Sequence, residues 1–269
     1  MVQKSNCNKW RRFSLDMQVF IYTLLNFINC SVKQDTDYEI AKCLLENIRK
    51  LSKLSLEETA YLCNVSVSTL NRFYRTVGFE NFSTVRKLLK NHDLPFNYES
   101  FLEAYGNSKE YVDTMTQGIY RIEEIDKNVW QYIARMMESA KHIYLLGYGD
   151  FHYQAGYFQN IMLYHGKLLE IVNQNERLSG TITADSKDLL IVTSLSGGYV
   201  KNMKEKLDAL KCRKVLITMQ DDGQYSNFDE VIAIGECNDK NMNKYFIMRV
   251  FEKIISSFYF YKSGQKLTT

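Results

Sequence analysis

Proline is almost missing. The 269-residue chain has one, Pro95, and a lone proline between two helix-rich stretches reads as a domain boundary. Paired cysteines are missing too. The six cysteines, at positions 7, 30, 43, 63, 212 and 237, form no C-x-x-C pair and fall mostly on apolar positions of expected helices. That pattern fits reduced thiols in a cytoplasmic protein and supplies no disulfide framework. The histidines, at 92, 142, 152 and 165, offer neither H-x-x-x-H spacing nor a carboxylate at ligand spacing, so no metal site is expected, and no cofactor. Long uninterrupted apolar runs are absent as well. The aromatic run Tyr245–Tyr261 contains Arg249, Glu252 and Lys253, which excludes a membrane span and suits an oligomer-forming helix. Near the start, Lys9, Arg11 and Arg12 precede the apolar run Val19–Ile28 in the manner of a signal peptide. Asp16, Gln18 and Asn26 interrupt that run and no small-residue cleavage site follows, so residues 14–29 are read as the first helix of a soluble domain.

The length allows two domains, each large enough to bury a core, and the charge separates them. Residues 1–92 hold 14 Lys and Arg against 8 Asp and Glu, a net +6, whereas residues 93–269 hold 20 against 23, a net −3. A basic N-terminal part suits a polyanion, because neutralising phosphates supplies most non-specific nucleic-acid affinity; ordinary surface solubility is the other account of the same charge. We expect domains over 1–92 and 108–269, joined by a linker over 93–107.

Residues 55–82, SLEETAYLCNVSVSTLNRFYRTVGFENF, carry the most specific spacing in the chain. Ser55-x-x-Glu58 reads as a capping box opening a helix. Leu56, Ala60 and Cys63 share one face, and Ala60 is small enough for a second helix to cross closely. Asn64 tolerates a left-handed turn, Val65 plugs the space between helices, and Ser66 caps the next one. Val67, Leu70 and Phe73 then point inward, while Ser66, Ser68, Thr69, Asn71, Arg72 and Arg75 point outward, where each can donate to bases or phosphates. Such a pair is either a helix-turn-helix or a helical hairpin with a wet face, and the joint presence of cap, turn and small residue favours the first. Upstream, residues 37–50 pattern as one helix with Ile40, Leu44, Leu45 and Ile48 inward. Downstream, a helix with Arg86, Lys87 and Lys90 closes the domain, and Lys87 joins the candidate DNA contacts.

From His142 onward the pattern changes. Short apolar runs, IYLLG, KLLEIV, DLLIVTS, KVLITM and EVIAIG, alternate with helical stretches, which predicts a doubly wound parallel sheet preceded by helices over 108–125 and 126–139. Ligands of such sheets bind where strand ends lead into helices. Two loops qualify: Gly147-Tyr148-Gly149 after the first strand, and Ser194-Leu195-Ser196-Gly197-Gly198 after the third, whose hydroxyls and flexible backbone make an anion cradle. The alternative is that Ser194 and Ser196 only cap the helix and shape the turn.

The run Ala60…Val65-Ser66-x-x-Thr69…Arg72-Phe73…Gly78-Phe79-x-Asn81-Phe82 resembles the N-terminal domain of the RpiR family of bacterial transcriptional regulators, whose pattern ends in an aromatic GF-x-x-F. That family continues into a sugar isomerase (SIS) domain, which the SxSG loop, the upstream GxG followed six residues later by Ala155, and the aromatic C-terminal helix also resemble. The resemblance implies a multidomain chain, an all-α helix-turn-helix domain followed by an α/β SIS domain. It implies a double-stranded operator and a homodimer or tetramer. It also implies a phosphosugar effector held by Gly147, Gly149, Ser194, Ser196, Gly197 and Gly198. The chain departs from the pattern at Phe151, where the family carries Ser, and in Ser196-Gly197-Gly198-Tyr199-Val200-Lys201, which replaces S-G-E-T-x-E. An isomerase needs a poised carboxylate or histidine, and the loop has lost its Glu, so no catalytic residue is expected. A phosphosugar isomerase-like enzyme, and a regulator whose SIS domain only oligomerises, are the alternatives.

Overall fold

The computed structural model describes residues 15–90, 108–147, 151–172, 184–219, 223–235 and 242–264. The chain divides into two compact units, Met1–Tyr98 and Glu99–Thr269. The expected linker with Pro95, and also His92, Cys7, Cys237 and Gly149, lie outside the described residues.

The first unit is all helical: α1 (Leu15–Cys30), α2 (Thr36–Glu46), α3 (Ile48–Leu51), α4 (Leu56–Leu62), α5 (Val67–Thr76) and α6 (Phe82–Lys90). The helix expected over 37–50 is two helices. At Asn47 the backbone leaves helical geometry (φ −108°, ψ 13°), and the side-chain amide caps the end of α2 by donating to the Cys43 carbonyl at 2.8 Å, which also accepts the Asn47 N–H at 3.1 Å. One core joins all six elements, with Phe20, Leu24, Ile40, Leu44, Leu51, Ala60, Leu70, Phe73, Tyr74, Phe79, Phe82 and Val85 buried. Phe20 meets Phe79 edge-on at 5.3 Å, and Tyr74 meets Phe82 at 6.1 Å. The GF-x-x-F ending therefore closes the domain. Gly78 turns the chain at φ +93°, which places Phe79 to donate its N–H to the Tyr74 carbonyl at 2.7 Å, a left-handed helix exit.

The second unit opens with α7 (Ser108–Glu123) and α8 (Lys127–Ser139). Asp126, expected inside a helix, caps α8 by accepting the Asn128 N–H at 2.8 Å. The strands are β1 (Ile143–Leu146), β2 (Leu169–Ile171), β3 (Leu189–Thr193), β4 (Arg213–Thr218) and β5 (Glu230–Ala233). All pair parallel in the order β2-β1-β3-β4-β5. Helices α9 (Phe151–Tyr164), α10 (Gly198–Asn202), α11 (Lys204–Ala209) and α12 (Asn243–Ser263) complete it. Alternate strand residues serve two cores. Ile143, Leu145, Leu189, Ile191, Val215 and Ile217 pack with α8, α9 and α12, while Leu146, Leu190, Val192 and Leu216 pack with Val200 and Leu207 on the opposite face. Burial on both faces is why these strands read as unbroken apolar runs.

The aromatic C-terminal helix differs from expectation in its use. Phe246, Ile247, Val250, Phe251, Ile254 and Phe258 of α12 are buried inside their own unit, and Phe158 stacks on Phe251 at 4.5 Å. Tyr245, Tyr259 and Tyr261 remain exposed, with Tyr153, Tyr157, Leu163 and Tyr164 of α9. Among the described residues no helix is long and apolar enough to cross a membrane.

Candidate DNA-reading face and anion loop

In the first unit the capping box forms as spaced: Glu58 N–H donates to Ser55 Oγ at 3.1 Å and Ser55 N–H to Glu58 Oε2 at 2.7 Å. That bond to the charged form holds the Glu58 carboxyl below its ordinary value. Asn64 adopts φ +55°, the only non-glycine at positive φ among the described residues, and Val65 N–H donates back to the Ala60 carbonyl at 3.0 Å. The turn between α4 and α5 is thus set by one residue. Replacing Asn64 with Val, which resists this conformation, is expected to cost about 1–2 kcal/mol. Asn64→Gly is expected to be neutral within about 0.5 kcal/mol, because glycine enters the region freely. Chemical denaturation of both variants checks the pair, and an indifferent Val substitution would remove the turn's special role.

Helix α5 begins at Ser66, whose Oγ accepts the Thr69 N–H at 3.1 Å and lies 2.8 Å from the Ser68 hydroxyl and 2.9 Å from that of Thr69. Three of the expected DNA-contacting residues therefore form one hydroxyl cluster at the helix start. Leu70, Phe73 and Tyr74 anchor the opposite face; Val67, expected inward, is half-buried. Asn71 is half-buried, and Arg72 and Arg75 are exposed. Lys87 is exposed on α6, and no bond among the described residues ties it to the α5 cluster. One neighbour has no signal in the local spacing: Asp37 Oδ1 of α2 lies 3.8 Å from Arg72 Nη2. The two residues are far apart in the chain, and only the packing of α2 beside α5 brings them together.

In the second unit the sheet order reverses between β1 and β3, so Gly147 and the Ser194–Gly198 loop stand at the topological switch point, where ligands of such sheets bind. Ser194 is 3% exposed, and its Oγ accepts the Val200 N–H at 3.2 Å. The hydroxyl thus caps α10 and keeps its hydrogen to donate. Ser196 is exposed. Gly197 sits at φ +70°, and a Cβ there would lie 2.6 Å from the Tyr225 hydroxyl, so Tyr225 covers the loop and only glycine fits beneath it. Tyr225 carries no motif or spacing in the sequence that marks it for this role. The helix after the loop is short: α10 ends at Asn202, and Met203, at φ −102°, ψ 8°, separates it from α11. Over Gly147 the ring of Phe151 occupies the space a Cβ would take, 2.2 Å from its ideal position. The departure from the family's Ser is thus a buried aromatic plug. In the same first turn of α9, burial lowers the His152 imidazole below its ordinary value.

No curated protein matches the chain. Among solved structures, the Vibrio vulnificus NanR protein complexed with ManNAc-6P is similar at 16% identity and TM-score 0.48, over 90% of this chain and 94% of that one. A hypothetical protein from Methanococcus jannaschii, whose structure infers a molecular function of 3-hexulose-6-phosphate isomerase, is similar at 18% identity and TM-score 0.48, over 58% and 93%. A phosphoheptose isomerase from Francisella tularensis follows at 11% identity and TM-score 0.45, over 58% and 97%. The family model for the helix-turn-helix domain of the rpiR family matches residues 26–94, a span that takes in the capping box, the Asn64 turn, α5 and the GF-x-x-F closure, and residues 26–94 are a helix-turn-helix domain of the rpiR family.

Proposed function

We propose that this protein is a cytoplasmic transcriptional regulator. Its N-terminal unit binds double-stranded operator DNA, and its SIS-like C-terminal unit senses a phosphosugar at the β1 and β3 loops. The observation that carries the reading is α5, capped by Ser66 and seated by Leu70, Phe73 and Tyr74, presenting Ser68, Thr69, Asn71, Arg72 and Arg75 away from its core. A rigid helix with that face enters a major groove and reads base edges. A regulator is favoured over an isomerase because the loop sequence Ser196–Lys201 contains no carboxylate to move a proton between carbons.

The regulator acts as a homo-oligomer in this reading. The exposed Tyr153, Tyr157, Leu163 and Tyr164 of α9 form an apolar strip of the kind a second subunit covers. Selection of duplexes from a randomised library with the full-length protein, with light scattering on the same sample, tests both parts. The expected result is a dimer or tetramer and a two-fold motif whose half-sites lie one helical turn, or a multiple of it, apart. A monomer would remove the symmetry argument, and a pool without any enriched sequence would remove the DNA-binding assignment.

A further inference from the structure

Arg72 and Arg75 look alike in the sequence: both are outward on α5, both exposed, one helical turn apart. Their surroundings differ. The Arg72 side chain, 69% exposed, has Nη2 3.8 Å from Oδ1 of Asp37, whose side chain is 23% exposed. That Oδ1 is buried and has no hydrogen-bond donor. The Asp37 backbone is held in the first turn of α2, where its N–H donates to the Asp35 cap at 3.1 Å. Arg75 has no ion pair among the described residues.

A buried carboxylate oxygen without a donor favours whatever donor approaches it, and the Arg72 guanidinium is the cation beside it. A movement of about 1 Å brings the pair from its present separation to the length of a charge-assisted hydrogen bond. The guanidinium is a planar fork with donors on more than one edge. With one edge turned to Asp37, the opposite edge is held outward in a fixed plane, the arrangement a bidentate contact to guanine O6 and N7 requires. Holding the fork beforehand removes the rotamer freedom that binding would otherwise have to freeze. Arg75, in the last turn of the helix and unsupported, suits a phosphate, where position matters more than plane.

We propose that Asp37 is a positioning residue that orients Arg72 to read a guanine in the major groove, and that Arg75 contacts the phosphate backbone. This rests on the DNA-binding reading above. It assigns sequence discrimination to one arginine and non-specific affinity to the other.

The test uses full-length protein with two probes, a duplex enriched from a randomised library by the wild type and an unselected duplex of equal length. Asp37→Asn is expected to lose about tenfold of the preference for the selected duplex, concentrated at one G·C pair. Its affinity for the unselected duplex should hold or rise, because a negative charge near the DNA is gone. In an Arg72→Ala background Asp37→Asn should add no further loss, since it acts through that side chain. Arg72→Lys keeps the charge without the fork and is expected to lose the preference while retaining unselected binding. Arg75→Ala should weaken both probes alike and lower the salt slope by about one. Full preference in Asp37→Asn, equal weakening on both probes, or additivity with Arg72→Ala would each overturn the assignment. Full preference in Arg72→Lys would overturn it even if Asp37→Asn fails to fold. A wild type that enriches no sequence would overturn the DNA-binding reading itself, and this inference with it.

Discussion

Phe73→Ala is expected to unfold the N-terminal unit under conditions where the C-terminal unit stays folded. Phe73 is fully buried, meets Phe27 edge-on at 5.7 Å and Tyr74 at 6.2 Å, and lies at the centre of the core that all six N-terminal helices share. Removing a buried phenyl ring costs about 3–5 kcal/mol, the lost transfer energy plus the cavity left behind. Whole domains are stable by only about 5–15 kcal/mol, with small ones at the low end. One kilocalorie per mole moves the midpoint of a 60–100-residue domain by about 4–8 °C, so the first transition should fall by at least 12 °C or vanish. The sheet unit has its own core and should melt as in the wild type. Differential scanning calorimetry reads both transitions. DNA binding should disappear with the first, because α5 presents its outward residues only while its inward face is seated. Arg75→Ala, on the opposite side of the same helix, should shift stability by no more than about 0.5 kcal/mol. A Phe73→Ala transition close to the wild type would mean that this ring is not the anchor of the recognition helix.

The second large effect is expected in the β3 loop, where two serines that look equivalent in the sequence separate by role. Ser194→Ala leaves the Val200 N–H without its acceptor in a buried position, which costs about 1–3 kcal/mol of stability. Ser196→Ala removes an exposed hydroxyl and should leave stability within about 0.5 kcal/mol. Toward a sugar phosphate the order reverses. A hydrogen bond to a charged group contributes about 1.5–3 kcal/mol, so loss of the Ser196 donor should weaken binding by about one to two powers of ten. A ligand at 100 times its dissociation constant stabilises the wild type by about 2.7 kcal/mol. At the same concentration the Ser196→Ala protein should gain only about 0.4–1.4 kcal/mol. Thermal shift and titration calorimetry with glucose 6-phosphate, fructose 6-phosphate and N-acetylmannosamine 6-phosphate measure both quantities. If no sugar phosphate moves the wild-type transition, the loop is a helix cap and a turn, and the second unit serves assembly alone. A Ser196→Ala protein that keeps the full shift would instead remove Ser196 from the phosphate site while leaving the sensor reading in place.

The helix-turn-helix was legible because its signals are local. Ser55 and Glu58 are three residues apart, Asn64 alone sets the left-handed turn, and Ser66 caps the helix it precedes, so sequence spacing and structural contact coincide. The parallel sheet was legible for a related reason: strands buried on both faces must be apolar throughout, and that run survives in one dimension. What the sequence could not determine was which polar groups find each other across the fold. Asn47 ends a helix whose apolar periodicity runs straight through it, its amide and its backbone N–H both donating to the Cys43 carbonyl. Asp37 reaches Arg72, and Tyr225 covers Gly197, only because separate elements pack side by side. Phe151 was readable as a departure from a family pattern, but that its ring fills the space over Gly147 is a matter of packing. Ser194 and Ser196 differ for the same reason: strand pairing draws one inside, under the start of α10, and leaves the other at the surface. Periodicity and capping thus determined the elements and their kind. The tertiary structure alone decided which hydroxyls, carboxylates and guanidinium groups are held and which are free to bind, because burial and hydrogen-bond distance are properties of elements brought together and have no period in the chain.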